Sequence, residues 1–383
     1  MKKKKKIVLL SICGVSAILI PFILIVQFSH DPTNYQEKYI NSLEPIPTRN
    51  LKFDDTKENI VVINEENTDF KILQLSDLHF SGARFRKNLD LKTLKAVYEM
   101  VDYARPDLIV YTGDIVYPTR ISGSNDNIKA ATVLNSFFDK MQVPFLYEFG
   151  NHDTEAFAKG KAKDINEIFQ SNPFCYSKDD ETANFRCGRL SQAVEIRNYD
   201  NTLNNVLILL DSGSYTDISF FSGYANFNDE QTHWYKNKLN RIRIMERYKE
   251  ISDISSLAFF HIPPYEYREA VKLYEQKSEE VSYIYGNNFE SISCPTSASG
   301  LFEKMVELGS TKAMFFGHDH KNSLALRYQG IEFYYGHSID YQSYPFIQYT
   351  NDYRGGVIIT IKPDSSYEVE PQLLKDIQKK NEE

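Results

Sequence analysis

Cysteine is scarce in this chain of 383 residues, which contains only four. Cys13 lies in an apolar N-terminal segment, so Cys175, Cys187 and Cys294 remain for the rest of the chain. Because three thiols leave one without a partner, the disulfide framework of a small secreted domain is not expected. Cys175 and Cys187 could close one short loop in an oxidising compartment, and three unpaired thiols are the alternative.

Basic residues are also fewer than acidic ones: the chain has 44 Lys and Arg against 52 Asp and Glu, which gives a net charge of −8. A general nucleic-acid binder needs a basic face, so specific binding to nucleic acid is not expected. A phosphate substrate is still compatible with this charge, because bound metal cations can dominate the local field. The sequence has no tandem repeat and no Asn-x-Ser/Thr glycosylation site. Its 42% of hydrophobic residues is enough for a substantial core.

Apolar residues are concentrated at the N-terminus. A basic run from Lys2 to Lys6 precedes the apolar segment from Ile7 to Phe28, which at about 20 residues can cross a bilayer core roughly 30 Å thick. We predict an uncleaved membrane anchor over residues 1–29, because the segment does not end in the small residues of a cleavage site. The basic side should stay cytoplasmic and the folded domain outside the cytoplasm. The alternative is a secreted protein whose signal peptide has been removed.

The rest of the chain is predicted to form one α/β domain. Residues 30–67 are polar and contain prolines, which is typical of a stalk or linker. Strands and helices then alternate over residues 68–372, and residues 373–383 form a charged tail. The pattern predicts three strands and the two helices between them, at residues 71–76, 88–103, 107–112, 127–140 and 144–149. This βαβαβ order indicates a parallel sheet with right-handed crossovers.

Five short polar clusters follow predicted strands directly. They are Asp77-Leu78-His79, Gly113-Asp114, Gly150-Asn151-His152-Asp153, His261 and Gly317-His318-Asp319-His320. The carboxyl ends of strands line the ligand crevice in open α/β sheets, so these clusters can converge. Carboxylate, imidazole and amide ligands suit Mn, Fe or Zn, and the absence of a thiolate disfavours a structural zinc site. The number of candidate ligands indicates two metal ions rather than one.

This ordered set of clusters resembles the calcineurin-like metallophosphoesterase superfamily, over about residues 70–337. The flanking segments Leu210–Gly213 and His261–Pro264 are similar to its purple-acid-phosphatase-like branch, in the form whose first motif is Asp-x-His. The resemblance implies a four-layer αββα sandwich with two mixed β-sheets. It also implies a hydrolase of phosphate esters that needs two divalent or trivalent metal ions, of unknown identity.

The resemblance implies a role for each residue of the motifs. The first metal position would be formed by Asp77, His79 and His320, and the second by Asn151, His261 and His318. Asp114 would bridge the two, because a carboxylate has two oxygens. His152 would bind a phosphoryl oxygen or protonate the leaving group, with Asp153 orienting its imidazole. A hydroxide generated by the metal pair would attack phosphorus in line, without a covalent enzyme intermediate.

Two further residues near the motifs have open roles. Tyr117 stands where purple acid phosphatases have an iron-binding tyrosine, but His79 competes for that coordination position. We therefore expect Tyr117 to form part of the pocket wall and no ferric–tyrosinate colour. His337 follows a predicted strand, and contact with the substrate and ordinary loop packing are both open.

The resulting functional prediction is a membrane-anchored phosphoesterase with two metal ions that favours monoesters. The alternatives are a phosphodiesterase acting at the same site and a catalytically weak binding or scaffold protein. The anchor also suggests a lipid-phosphate substrate, but no amphipathic stretch beside the motifs supports this. The oligomeric state is not predicted.

Overall fold

The computed structural model describes residues 32–49, 51–54, 60–64, 68–118, 124–178, 188–216, 223–344, 346–350 and 352–382. The predicted anchor of residues 1–29 and the residue Cys187 lie outside these ranges. Across the described ranges, no helix combines the length and the apolar character needed to cross a membrane. Cys175 and Cys294 are buried free thiols.

The described residues form fourteen β-strands and eight α-helices. The strands are β1 (Leu51–Asp54), β2 (Ile60–Asn64), β3 (Phe70–Leu75), β4 (Leu108–Thr112), β5 (Phe145–Glu148), β6 (Gln192–Arg197), β7 (Leu203–Leu209), β8 (Ser256–Phe259), β9 (Val281–Tyr285), β10 (Thr311–Phe316), β11 (Ala325–Tyr328), β12 (Ile331–Tyr335), β13 (Gly355–Ile361) and β14 (Tyr367–Leu373). The α-helices are α1 (Pro32–Asn41), α2 (Lys87–Ala104), α3 (Asn127–Met141), α4 (Ala162–Gln170), α5 (Asp229–Glu246), α6 (Tyr265–Glu275), α7 (Leu301–Leu308) and α8 (Leu374–Glu382).

The strands form two mixed sheets. One sheet has nine strands in the order β1-β2-β6-β7-β8-β10-β12-β11-β9, and the other has five in the order β14-β13-β3-β4-β5. Strands β3, β4 and β5 are parallel, and β13 joins them antiparallel. Strands β7, β8, β10 and β12 are parallel in the larger sheet. The predicted βαβαβ unit is therefore confirmed as the parallel part of the smaller sheet.

Four layers result from how the sheets pack. Between the sheets lie the side chains of Ile72 and Val110 from the smaller sheet and of Leu207, Phe259 and Phe315 from the larger one. Helices α1, α2, α3, α4 and α8 pack on the outer face of the smaller sheet, and α5, α6 and α7 on that of the larger. Burying each large apolar side chain contributes roughly 1.5–3 kcal/mol, which favours this layered arrangement. The predicted αββα sandwich is confirmed.

Both predicted ends of the folded domain are wrong. In the segment expected to be a stalk, Ile40, Leu43 and Ile46 are buried in the core, and the amide of Ile46 donates to the Met141 carbonyl at 2.9 Å. The same segment supplies β1 and β2, and β2 pairs with β6. In the predicted charged tail, Leu374 is buried where α8 packs against α2. A few well-spaced apolar residues outweigh the polar composition of both segments.

The loops that follow the strands are joined to one another by backbone hydrogen bonds. The amide of Asp77 donates to the Gly113 carbonyl at 3.1 Å, and that of His79 to the Asp114 carbonyl at 2.9 Å. The amide of Gly317 donates to the His261 carbonyl at 3.0 Å. The first two bonds join loops of the smaller sheet and the third joins loops of the larger one. The amide of His318 donates to Asp77 Oδ2 at 3.1 Å and links the two sheets where the polar clusters meet.

Candidate metal centre

The seven residues expected to bind metal come together at the carboxyl ends of the strands. All are buried: Asp77, His79, Asp114, Asn151, His261, His318 and His320. Ligand atoms of Asp77, His79 and His320 lie within 4.8 Å of one another, as do those of Asp114, His261 and His318. The Oδ1 atom of Asn151 joins the second group, 3.2 Å from His261 Nε2. The structure thus forms two neighbouring groups of ligand atoms.

Asp114 lies between these two groups. Its Oδ2 atom is 3.5 Å from the Nε2 atom of His79 and 3.2 Å from the Nε2 atom of His261. One carboxylate therefore faces an imidazole of each group. This is the geometry that a bridging ligand requires.

Several buried polar atoms of the centre have no hydrogen-bond partner among the residues that the structure describes. They include both ring nitrogens of His79, the Oδ1 atom of Asp77 and the Nε2 atom of His318. Burying such groups without a partner is costly. Cations between them would satisfy the lone pairs, and the imidazole and carboxylate donors suit Mn, Fe or Zn. The residues present therefore fit two metal ions.

The backbone at the centre is held in rarely occupied conformations. Asp77, His79, Asp114 and His318 have φ angles of 54°, 49°, 50° and 88°, in a region that non-glycine residues seldom occupy. Gly150 admits the Asp114 carboxylate, which a Cβ atom at that position would overlap. Strained backbone at four candidate ligands indicates that the surrounding structure fixes their positions.

Neighbouring charges outweigh burial in setting the pKa values of Asp114 and His261. Burial raises the pKa of Asp114, but His261, His152 and His79 more than reverse this and hold that pKa well below its usual range. Burial lowers the pKa of His261, and Asp114 more than reverses this and raises it to about 9. Asp114 is therefore ionised and available as a ligand at neutral pH.

His152 lies beside the two groups and is partly open to solvent, with 17% of its side chain exposed. Its Nδ1 atom is 2.6 Å from Glu155 Oε1, and its amide donates to Asp114 Oδ1 at 2.7 Å. Burial lowers the pKa of His152, but Asp114 and Glu155 raise it by more. Tyr117 contacts the rings of His79 and His152 edge-on, with centroid distances of 4.7 and 5.1 Å. It lies against these rings as a pocket wall residue would.

The expected orienting role of Asp153 is wrong, because its carboxylate is occupied elsewhere. It accepts from the amides of Gly150 at 2.7 Å, Val116 at 2.8 Å and Asp114 at 3.0 Å. Asp153 therefore fixes the two motif loops to each other. The carboxylate that contacts the ring of His152 belongs to Glu155, two residues further along the chain. The motif ends at Asp153, so it did not indicate Glu155.

Asp340 is a residue of the centre that the sequence did not indicate. Its Oδ2 atom is 3.0 Å from the Nδ1 atom of His320, and its Oδ1 atom is 4.0 Å from that of His79. Burial raises the pKa of Asp340, but both histidines more than reverse this and lower it below its usual range. Asp340 follows β12 by five residues. Gly336, directly after that strand, was the signal that another motif loop begins there.

Tyrosine rings surround the second group and part of the first. The hydroxyl of Tyr215 accepts from the Nδ2 atom of Asn151 at 2.8 Å, which directs the amide oxygen of Asn151 toward His261. Tyr224 packs edge-on against His318, and Tyr344 stacks on His320.

His337 is buried, and burial lowers its pKa to about 4. It belongs to neither group of ligand atoms.

The fold and the site together define a metal-dependent hydrolase of phosphate esters. The chain belongs to the calcineurin-like phosphoesterase family, whose profile matches residues 70–322. This confirms the resemblance of the strand-end motifs.

Its relatives confirm the purple-acid-phosphatase-like branch. The chain is 28% identical to "Probable inactive purple acid phosphatase 29" of Arabidopsis thaliana, over 73% of this chain and 74% of that protein. It is 29% identical to "Probable inactive purple acid phosphatase 14" of the same plant, over 73% of each chain. It is 25% identical to "Phosphatase DCR2" of Saccharomyces cerevisiae, over 78% of this chain and 50% of that protein.

A solved structure supports the fold. The crystal structure of a dimetal phosphatase from Danio rerio matches with a TM-score of 0.52 at 13% identity, over 80% of this chain and 96% of that one. At this identity the likeness supports the fold alone.

Proposed function

We propose that the chain is a membrane-anchored phosphoesterase that holds two metal ions and prefers phosphate monoesters. The position of Asp114 between two groups of ligand atoms, with the imidazole of His152 beside both, carries this proposal. The name "phosphatase" of the relatives favours monoesters over diesters. The apolar segment from Ile7 to Phe28 supports the anchor.

Different residues would bind the metal ions and donate the proton. Asp77, His79 and His320 would hold one metal ion, Asn151, His261 and His318 the other, and Asp114 both. Bound metal ions supply an activated water and neutralise charge on the phosphoryl oxygens. Glu155 accepts a hydrogen bond from Nδ1 of His152 and favours the protonated ring, which leaves the Nε2 proton for a phosphoryl oxygen or the leaving group.

Hydrolysis of a soluble aryl phosphate tests this function. We expect metal-loaded protein to hydrolyse it, and His152→Ala to lower kcat by roughly 10²–10⁴-fold, the usual contribution of a general acid. A ring nitrogen of His152 lies within 4.8 Å of ligand atoms of His79 and Asp114, so the metal content of His152→Ala is measured as well. It should stay at the wild-type value, because the proposal assigns this ring to the substrate and not to a metal ion. His233→Ala is the matched control, since His233 is exposed on α5, and it should keep full activity. Full activity in His152→Ala would contradict the mechanism.

A binding or scaffold protein without useful catalysis is the second candidate, because two relatives are named "probable inactive". The complete and buried set of ligand side chains favours an enzyme instead. Protein that binds two metal ions but hydrolyses neither aryl phosphate monoesters nor diesters would establish the scaffold function.

A further inference from the structure

Large aromatic side chains are exposed on segments that also form the mouth of the metal centre. We call Phe85, Phe289, Phe346 and Tyr349 the aromatic rim. Their exposed fractions are 63%, 59%, 77% and 79%. Single exposed apolar residues are normal on a protein surface, but several beside one site indicate a contact surface.

Three residues of the rim are close to the first metal position along the chain or through a contact, and the amide of Tyr349 donates to the carbonyl of the third, Phe346, at 3.0 Å. Phe85 follows His79 by six residues, and Phe346 follows Tyr344, whose ring stacks on His320, by two. The amide of Phe289 donates to the side chain of Asn322, two residues after His320, at 2.9 Å. The four residues belong to three separate segments, so no amphipathic period is present in the sequence.

The backbone of Phe346, whose ring is exposed, adopts a strained conformation. Its φ angle is 69°, in a region that bulky side chains rarely occupy. The segment is tied down by the guanidinium of Arg354, which donates to the Ile347 carbonyl at 2.6 Å and to the Asp340 carbonyl at 3.0 Å. The loop that carries the exposed ring is thus the loop that carries Asp340.

The first helix of the described chain begins on this same side. Gln36 of α1 donates to Asp90 Oδ2 at 3.1 Å. Gln342 donates to Asp90 Oδ1 at 2.6 Å and to the carbonyl of His79 at 2.9 Å. The ring of Tyr35 lies 5.7 Å from Lys87 Nζ, two residues after Phe85. The start of α1 is therefore connected, through two side chains, to a candidate metal ligand.

The apolar N-terminal segment ends close to this start. Phe28 precedes Pro32, the first residue of α1, by four residues, which span at most about 14 Å of extended chain. The predicted anchor would therefore end within this distance of the first residue of α1.

The charges beside the rim suit an anionic membrane surface. Arg84 and Arg86 flank Phe85, and Lys321 lies with its Nζ 5.2 Å from the ring of Tyr344. One acidic residue, Glu290, lies next to Phe289 and accepts from the amide of Lys321 at 2.8 Å. Aromatic rings and basic side chains together are the usual contacts of proteins with anionic headgroups.

We propose that the aromatic rim docks on the bilayer that holds the N-terminal anchor, and that the metal centre hydrolyses phosphate esters carried in the lipid headgroup layer. The substrate class rests on the proposed phosphoesterase activity, and the docking rests on the proposed membrane anchor.

Tryptophan fluorescence tests the docking. The chain has one tryptophan, Trp234, which is buried and provides an internal reference. In full-length protein reconstituted into vesicles with brominated phospholipid, Phe85→Trp and Phe346→Trp should each add emission that the lipid quenches. Tyr199→Trp is the matched control, because Tyr199 is 66% exposed in the turn between β6 and β7, at the opposite end of the strands. Equal quenching at all three positions would overturn the docking.

Hydrolysis tests the substrate class. In the same vesicles, the ratio of the hydrolysis rate of phosphatidic acid to that of a soluble aryl phosphate should fall about tenfold or more when Phe85→Ser and Phe346→Ser are combined. An unchanged ratio would overturn the lipid substrate. If no variant hydrolyses either substrate but the quenching pattern holds, the phosphoesterase function fails and the docking stands. If the aryl phosphate is hydrolysed and quenching is uniform, the docking fails and the phosphoesterase function stands.

Discussion

The two metal positions are supported by different chemical groups. At the first, the carboxylate of Asp340 lies 3.0 Å from Nδ1 of His320. At the second, Nδ1 of His261 donates to the backbone carbonyl of Thr112 at 2.8 Å, and Asn151 is held by the hydroxyl of Tyr215 at 2.8 Å. An imidazole that donates its other N–H to a carboxylate is a more basic metal ligand than one that donates to a backbone carbonyl. We therefore expect the first position to bind its metal ion more tightly than the second.

Removing the shared ligand should weaken both positions together. Asp114→Asn keeps the shape of the side chain but removes the negative charge that faces both groups. We expect metal affinity at both positions to fall by more than the roughly 10–100-fold that loss of an outer partner costs. Equilibrium dialysis against a metal buffer measures this. Loss at one position alone would show that Asp114 is not a bridge.

Removing one imidazole from each group should separate the positions. His320→Ala should lose the metal ion of the first position and His318→Ala that of the second, because each histidine belongs to a different group of ligand atoms. Metal analysis of purified protein should give about one ion per chain for each variant and about two for the wild type. Two ions retained by either variant would contradict the assignment of that histidine.

Changing the side chains that hold the ligands, rather than the ligands themselves, tests the difference in metal affinity between the two positions. Asp340→Asn should weaken binding at the first position by roughly 10–100-fold and leave the second unchanged. Tyr215→Phe is the matched change at the second position and should have a smaller effect there, since it removes one neutral hydrogen bond. Metal titration of both variants measures the two affinities. Equal effects on both positions would show that Asp340 acts on the fold as a whole.

The candidate ligands and the side chains that support them differ in how well the sequence predicted them. The ligands were predictable because each one follows a buried strand directly, where the parallel topology brings side chains together. Asp340 and Glu155 were not, because they lie in loops whose course depends on contacts with distant residues. The αββα fold was predictable from the alternating pattern and the resemblance. Helix α1 was missed because its polar composition hides the spacing of Gln36 and Ile40, which lie four residues apart on one helical face and are buried.

The last effect we expect is on stability rather than on metal binding, and it concerns Asp90, which supports the first position through Gln342. Burial outweighs the hydrogen bonds from Ser81, Gln342 and Gln36 and raises the pKa of Asp90 from 3.8 to about 6. Because the folded state holds this proton more tightly than the unfolded state, Asp90 makes the fold less stable as the pH rises through about 6. Relative to Asp90→Asn, the free energy of unfolding of the wild type should fall by roughly 2 kcal/mol between pH 4 and pH 7.

Denaturation of both proteins in detergent at a series of pH values measures this difference. The two stability curves should converge at low pH, where Asp90 is protonated in both the folded and the unfolded state, and separate as the pH rises. Curves that stay parallel over this range would show that Asp90 keeps its ordinary pKa.

The central claim is that Asp114 lies between two metal ions. Anomalous diffraction from crystals of the metal-loaded protein, recorded at the absorption edge of the bound metal, tests it most directly. The account predicts two anomalous peaks about 3.5–4 Å apart, one beside Asp77, His79 and His320 and the other beside Asn151, His261 and His318. A single peak, or a second peak that does not contact Asp114, would contradict it.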